Sequence, residues 1–231
     1  MNKFEKYFFE KKDRKLLISK WHHYLKVYDK HFSRFKGKNP TILEVGVYAG
    51  GGLEMWNDYF DGECQIYGID IMPSTLEIPK QLKLDNVYME LGDQENRDFW
   101  KKYLEDKPKF DIVIDDGGHT MGQQIVTYQE IYDHIKEDGV YLCEDLHTSY
   151  WKEWGGEYGN KNTFIEYSKN FIDYMHYHHI DKDVSSRNIR KLKGNATEAQ
   201  KFRENTNSIH YYDSIIVLEK GQNPKAETSN R

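Results

Sequence analysis

The chain has 231 residues, of which 38% are hydrophobic and 31% charged, with a formal net charge of −5 and a mean hydropathy of −0.89. That length suits one domain with a sizeable core, and no stretch is apolar enough for a membrane span. The interspersed charges leave no basic stripe of the kind a nucleic-acid surface needs, and the two cysteines, Cys64 and Cys143, lack metal or redox spacing.

The first fifteen residues are charged and aromatic and show no secretory leader, so a cytoplasmic address is expected. Over residues 4–35, Phe8, Leu16, Leu17, Trp21, Tyr24, Leu25, Tyr28 and Phe32 recur at roughly helical spacing. This predicts an N-terminal helical segment, 1–36, lying over a sheet edge or over a site. After the break at 37–40, residues 41–45 read as a buried strand followed by a glycine-rich turn and a helix from about Gly51. Further strands are expected at 65–69, 86–90, 110–114 and 139–143, with helical or loop sequence between them. Such alternation specifies an α/β fold, a Rossmann-like, doubly wound, mostly parallel sheet. The runs 208–212 and 214–220 are too close together for a crossover and are expected to pair antiparallel at the C-terminus. One domain over 1–220 and a disordered polar tail over 221–231 complete the expectation.

Ligands of open α/β sheets bind beyond the carboxyl ends of the strands. Each of the first five strands ends on or runs into acid: Glu44, then Asp70, Asp93, the pair Asp115 and Asp116, and the pair Glu144 and Asp145. Helix capping alone would account for some of these. The turn Gly46, Val47, Tyr48, Ala49, Gly50 places Tyr48 where a pyrophosphate-binding turn carries its second glycine, so the dinucleotide fingerprint is broken. S-adenosylmethionine has no phosphate; its sulfonium, ammonium and ribose diol all suit carboxylates. Glu44, Asp70, Asp93, Gln94 and Asp115, with Gly46 and Gly50 for close backbone approach, are the expected cofactor residues.

Strands 4 and 5 are expected side by side, which brings Asp116, Glu144 and Asp145 within reach of one ion. An all-oxygen set points to a hard cation, Mg2+ with Mn2+ as a substitute, unless these acids only cap turns and never meet. His119, three residues beyond Asp116, suits removal of a proton from a hydroxyl at such a site.

The run Ile114, Asp115, Asp116, Gly117, Gly118, His119, followed by Glu144 to Thr148 and by Tyr150 and Trp151, resembles the metal-dependent sugar O-methyltransferases that tailor macrolides, among the class I S-adenosylmethionine-dependent methyltransferases. The likeness runs from Ile42 to the closing Ile209 to Ser214. It implies magnesium on Asp116, Glu144 and Asp145 holding neighbouring sugar hydroxyls, with Asp116 and His119 as catalytic residues and His119 as base. A related branch with the same acids resembles cephalosporin hydroxylase-like proteins, which keeps an oxidative component open as an alternative. A non-catalytic nucleotide-binding partner is another.

The segment 147–160 mixes rings, polar groups and glycines, as either a lid over a sugar or a local cluster would. Tyr150 and Trp151 are its candidate substrate contacts. Abundant Lys, Asn, Ile and Tyr imply AT-rich codons, and hence a surface-polysaccharide or nucleotide-sugar acceptor. A homo-oligomer is compatible with the sequence.

Overall fold

The computed structural model describes residues 1–179, 196–224 and 227–229. Seven strands form one sheet in the order β3-β2-β1-β4-β5-β7-β6. They are β1 (Thr41–Val45), β2 (Gln65–Asp70), β3 (Val87–Leu91), β4 (Phe110–Asp115), β5 (Ile135–Cys143), β6 (Thr206–Tyr212) and β7 (Ile215–Lys220). The first five are parallel, whereas β7 runs antiparallel to both β5 and β6. The sheet and its closing antiparallel pair match the sequence expectation, with strand ends moved by a few residues.

Strand parity sorts the core into two layers. Ile42, Ile112, Ile114, Val140, Leu142 and Val217 face one side, and Leu43, Val45, Val113, Tyr141, Ile216 and Leu218 the other. Apolar residues on both parities are what a sheet covered on both faces requires. On the first face lie α1 (Lys3–Glu10), α2 (Tyr24–Phe32) and α3 (Gly51–Tyr59); α4 (Met121–Ile131) and the C-terminal helix Ala196–Asn205 contribute to the second.

The N-terminal helices differ in extent from the expected helical segment. α1 begins on a capping box between Asn2 and Glu5, which satisfies otherwise orphaned amides. α2 buries Tyr24, Leu25, Val27, Tyr28, His31 and Phe32 along one stripe. Between them, residues 11–23 form neither helix nor strand, so Leu16, Leu17 and Trp21 are not on a helix despite their spacing. Phe4 secures this N-terminal layer: its ring stacks on Tyr59 at 3.7 Å and meets Trp56 and Tyr28 edge-on. At the other end His31 hydrogen-bonds Glu219 of β7 at 2.8 Å and the Tyr212 hydroxyl at 2.9 Å.

The expected tail also differs where it begins. Gly221 N donates to Asn205 O, and Arg203 donates to the carbonyls of Asn223 and Pro224, so residues 221–224 are held against the C-terminal helix. Residues 225, 226, 230 and 231 of that expected tail lie outside the described residues.

Candidate active site

The strand order reverses between β1 and β4, which makes their carboxyl ends the switch point where an open α/β sheet binds its ligand. The two turns touch there. Gly46, at φ +85°, is backed by the carbonyl of Asp116 and by Gly117, so any side chain would run into backbone. Asp116 N in turn donates to Val45 O at 2.9 Å.

Two cavities meet at this junction. One, about 480 Å3, is bounded by Asp70, Ile71, Met72, Asp93, Gln94 and Gly118; the other, about 510 Å3, by Ile18, Lys20, Glu44, Gly52, His119 and Asp145. Gly46, Tyr48, Asp116 and Gly117 line both. Tyr48, expected only to disrupt a phosphate turn, stands 72% exposed at their shared edge.

In the first cavity Asp70 already serves the turn. Its carboxylate accepts from Val47 N and Tyr48 N at 2.9 Å and from Met72 N at 2.8 Å. Asp93 is exposed, with one oxygen accepting from Glu95 N at 2.9 Å. Gln94 lines the cavity but is occupied at both ends: its carbonyl accepts from Gly118 N at 2.7 Å, and its amide donates to Asp115 and Thr127 at 3.0 Å. Ile71 and Met72, 65% and 56% exposed, add apolar wall that the sequence reading did not assign.

Asp115 departs from its expected role as a cofactor contact. It shares strand parity with Val113, lies 1% exposed, and accepts from Gln94 and from the Tyr141 hydroxyl at 3.0 Å. Burial pushes its carboxyl up to about 7. It lines neither cavity and acts through Gln94, which it holds against Gly118.

In the second cavity the acids converge. The Lys20 ammonium lies 2.5 Å from Asp116 Oδ2, 3.1 and 3.2 Å from the two Glu144 oxygens, and 3.6 Å from Glu44 Oε1. Tyr28 donates to Glu144 Oε1 at 2.7 Å, and Tyr24 donates to Asp145 Oδ1 at 2.6 Å. Glu44, expected beside Asp70 and Asp93 as a cofactor residue, lies instead in this second cavity, beneath α3, where Gly52 offers no side chain to meet it. Burial raises the Glu44 carboxyl to about 7 while the Lys20 ammonium pulls it down. Burial also raises Asp116, with Lys20 and His119 opposing, and raises Glu144, with Asp116 adding and Lys20 opposing. For Lys20 burial favours the neutral amine, but Asp116, Glu144 and Glu44 together hold the ammonium well above its ordinary range. Four carboxylates crowd here because cations and hydroxyl donors offset what burial costs them.

On the cleft side, His119 Nε2 lies 3.4 Å from Asp145 Oδ2 and 3.8 Å from Asp116 Oδ1. Asp116, His119 and Asp145 each offer a ligand atom, all within 4.8 Å of one another. His119, Asp145 and Tyr48 all take positive φ, 57°, 55° and 52°, a cost that non-glycine residues bear mainly where the surroundings enforce it. Thr148 supplies part of that enforcement, its hydroxyl shared between the carbonyls of His119 and Asp145 at 2.9 and 2.8 Å. The expected trio Asp116, Glu144 and Asp145 is thus brought to one place, but Glu144 faces inward to Lys20 and Tyr28.

The two candidate substrate contacts part company. Trp151 packs on His147 with ring centres 4.3 Å apart, and Trp21 meets the same imidazole at 5.5 Å. Tyr150 instead lines a separate cavity of about 430 Å3 with His147, Lys169, Ile172 and Tyr211. Sequence reasoning misses Lys20, Tyr24 and Tyr28 as site residues; the hydroxyls of the two tyrosines, one helical turn apart, are the only local signal.

No protein-family model matches the chain. It is 29% identical to the 8-demethyl-8-(2-methoxy-alpha-L-rhamnosyl)-tetracenomycin-C 3'-O-methyltransferase of Streptomyces olivaceus, over 88% of this chain and 50% of that protein. It is also 29% identical to the mycinamicin VI 2''-O-methyltransferase of Micromonospora griseorubida, over 85% of this chain and 47% of that protein. The crystal structure of MycE methyltransferase from the mycinamycin pathway, in complex with Mg and SAH, superposes with a TM-score of 0.76 at 26% identity, covering 90% of this chain and 51% of that one. The chain spans about half the length of the curated relatives it matches. The chain therefore has a Rossmann-like methyltransferase fold, and over most of its length it is similar to O-methyltransferases named for a rhamnosyl-tetracenomycin and for mycinamicin VI.

Proposed function

We propose that this chain is an S-adenosylmethionine-dependent O-methyltransferase that acts, with a divalent cation, on a hydroxyl of a sugar. The observation that carries the reading is the junction of the two cavities at Asp116 and Gly117, with a cleft walled by Asp70, Ile71, Met72 and Asp93 on one side of the turn and an acid-rich cleft on the other. The first cavity suits the adenosine: apolar Ile71 and Met72 for the base, and Asp70 and Asp93 for ribose hydroxyls. The methionine end would pass Gly46 toward the second cavity, whereas Gly50, expected at the same approach, lines neither cavity and is backed by Leu16 and Ile78.

The residues present fit a hard cation. Asp116, Asp145 and His119 present their ligand atoms to one small volume on the cleft side, and Glu144 lies next to Asp116. Asp116, Glu144 and Asp145 would hold Mg2+ or Mn2+, which when bound supplies Lewis acidity and fixes a pair of hydroxyls. His119 Nε2 takes the proton of the acceptor hydroxyl as that oxygen forms its bond to the methyl carbon and the carbon–sulfur bond breaks. Asp145 and Asp116 orient the imidazole and stabilise its charged form. The products are a methyl ether and S-adenosylhomocysteine.

Within the sugar class, composition favours a nucleotide-linked or polysaccharide sugar in the cytoplasm, with no nucleic-acid substrate. No described helix is long and apolar enough to cross a membrane. Methyl-labelled S-adenosylmethionine, offered with nucleotide-linked deoxysugars, rhamnosides and polysaccharide fragments, tests this by mass spectrometry. A methyl ether on one sugar is expected. Cofactor binding without transfer to any of them would favour a hydroxylase-like component, and no cofactor affinity a non-catalytic partner.

A further inference from the structure

Residues 11–23 connect α1 to α2 without helix or strand, and none of them is fully buried as a residue. The Lys20 side chain is the exception within the segment, with 4% exposure. The segment is tied down ahead of it: Lys15 N and Leu16 N donate to the Glu54 carboxylate, and Gly51 N donates to Leu17 O. Among the described residues, the backbone of 18–20 makes no hydrogen bond. Ile18 packs on the core at one end and Trp21 on His147 at the other; at Lys20 itself it is the ammonium in its nest of carboxylates that holds the chain inward.

That nest overlaps the place assigned above to the divalent cation. Lys20 takes Asp116 Oδ2 and both oxygens of Glu144, two of the three acids of the expected ligand set. A magnesium ion bonds its oxygens at about 2.0–2.1 Å. On Asp116 and Glu144 it would use the same lone pairs and stand in contact with the ammonium, where like charges repel at short range. Asp116, His119 and Asp145, each with a side chain 19% exposed, line the cleft on the other side and give the ion a way in.

We propose that Lys20 is an intrachain occupant of the divalent-cation site: its ammonium holds Asp116 and Glu144 together, and cation binding expels it and frees the chain around Ser19 and Lys20. The inference rests on the reading that this site takes a divalent cation. Lys20 is then a positioning residue that weakens apparent cation affinity by the reciprocal of the fraction of molecules in which it is unseated, and its removal leaves the acids to the ion. The long flexible stem lets the ammonium leave the nest for water without moving α1 or α2. A lysine that only clamps the N-terminal layer would stay in place when the ion binds.

Two measurements decide this. In the wild-type protein, trypsin cleavage of the bond after Lys20, whose side chain is 4% exposed, is followed with and without saturating Mg2+: faster cleavage there with Mg2+ is expected, and unchanged or slower cleavage while the ion is bound overturns the proposal. In Lys20→Met, checked for folding by circular dichroism, Mn2+ affinity is read by electron paramagnetic resonance of the free ion. Tightening by about tenfold or more relative to wild type is expected, the factor for a site competent in a tenth of the molecules. Equal or weaker affinity overturns the proposal and leaves the cation reading standing. If neither protein binds Mn2+, the cation reading fails and the proposal falls with it.

Discussion

The two halves of the cleft handle their carboxylates in opposite ways. In the half formed by β2 and β3, Asp70 and Asp93 stay close to solvent and spend part of their hydrogen-bonding capacity on neighbouring backbone amides. In the half formed by β1, β4 and β5, Glu44 and Glu144 are 1% exposed, and Asp116 and Asp145 crowd beside them. A lysine, two tyrosines and a histidine are gathered from distant parts of the chain to offset that crowding. Exposed acids suit a ligand that arrives with neutral hydroxyls, whereas buried, concentrated acids need positive charge to be tolerable. The contrast separates a cofactor half, where single substitutions are expected to weaken binding modestly, from a reaction half, where they are expected to stop turnover.

The strongest way to break the contrast is at Asp116, which faces Lys20 with one oxygen and His119 with the other. Asp116→Asn is expected to lower turnover by about a thousandfold or more, since metal assistance is worth several kcal/mol; initial rates with labelled cofactor measure it. His119→Gln is expected to lower kcat by about 10^2- to 10^4-fold, the range of a general base, while calorimetry shows cofactor affinity unchanged. A loss of affinity in proportion to the loss of rate would place His119 in the cofactor half instead.

A third test uses pH. Asp115 and Glu44 have folded values of about 7 against ordinary values of 3.8 and 4.5. Between those limits the folded protein binds more protons than the unfolded chain, so stability falls as pH rises. The contribution is complete below about pH 4 and gone above about 7. Thermal melts from pH 5 to 8 are expected to show the midpoint dropping toward 7, with a shallower slope in Asp115→Asn. A midpoint that rises over this range would mean that both carboxylates are ionised and paired in the fold. The smallest effect is expected for Asp93→Asn: a loss of about 0.5–1.5 kcal/mol in cofactor affinity, the net of one hydrogen bond, read by calorimetry.

The same contrast explains what could be read from the sequence. The strands and their acidic ends follow from local periodicity, so Asp70, Asp93, Asp116, Glu144 and Asp145 were visible as a rim. Asp115 was assigned to the cofactor although strand parity, counted from Val113, puts it on the opposite layer under Gln94. That signal was present. Lys20 carried none: it is one lysine among many, and its place depends on Phe4 stacking on Tyr59 to bring the N-terminal segment across β1 and β4. Tyr24 and Tyr28 read correctly as a buried helical stripe, but the destination of their hydroxyls is a tertiary fact.

The most direct test of metal-assisted methyl transfer is the initial rate of protein stripped by a chelator, dialysed, and titrated with Mg2+ in the presence of labelled S-adenosylmethionine and a sugar acceptor. The expected result is a negligible rate without the ion and a saturable return of methyl ether formation with it. A full rate in the stripped protein, unaltered by added Mg2+, would contradict the account.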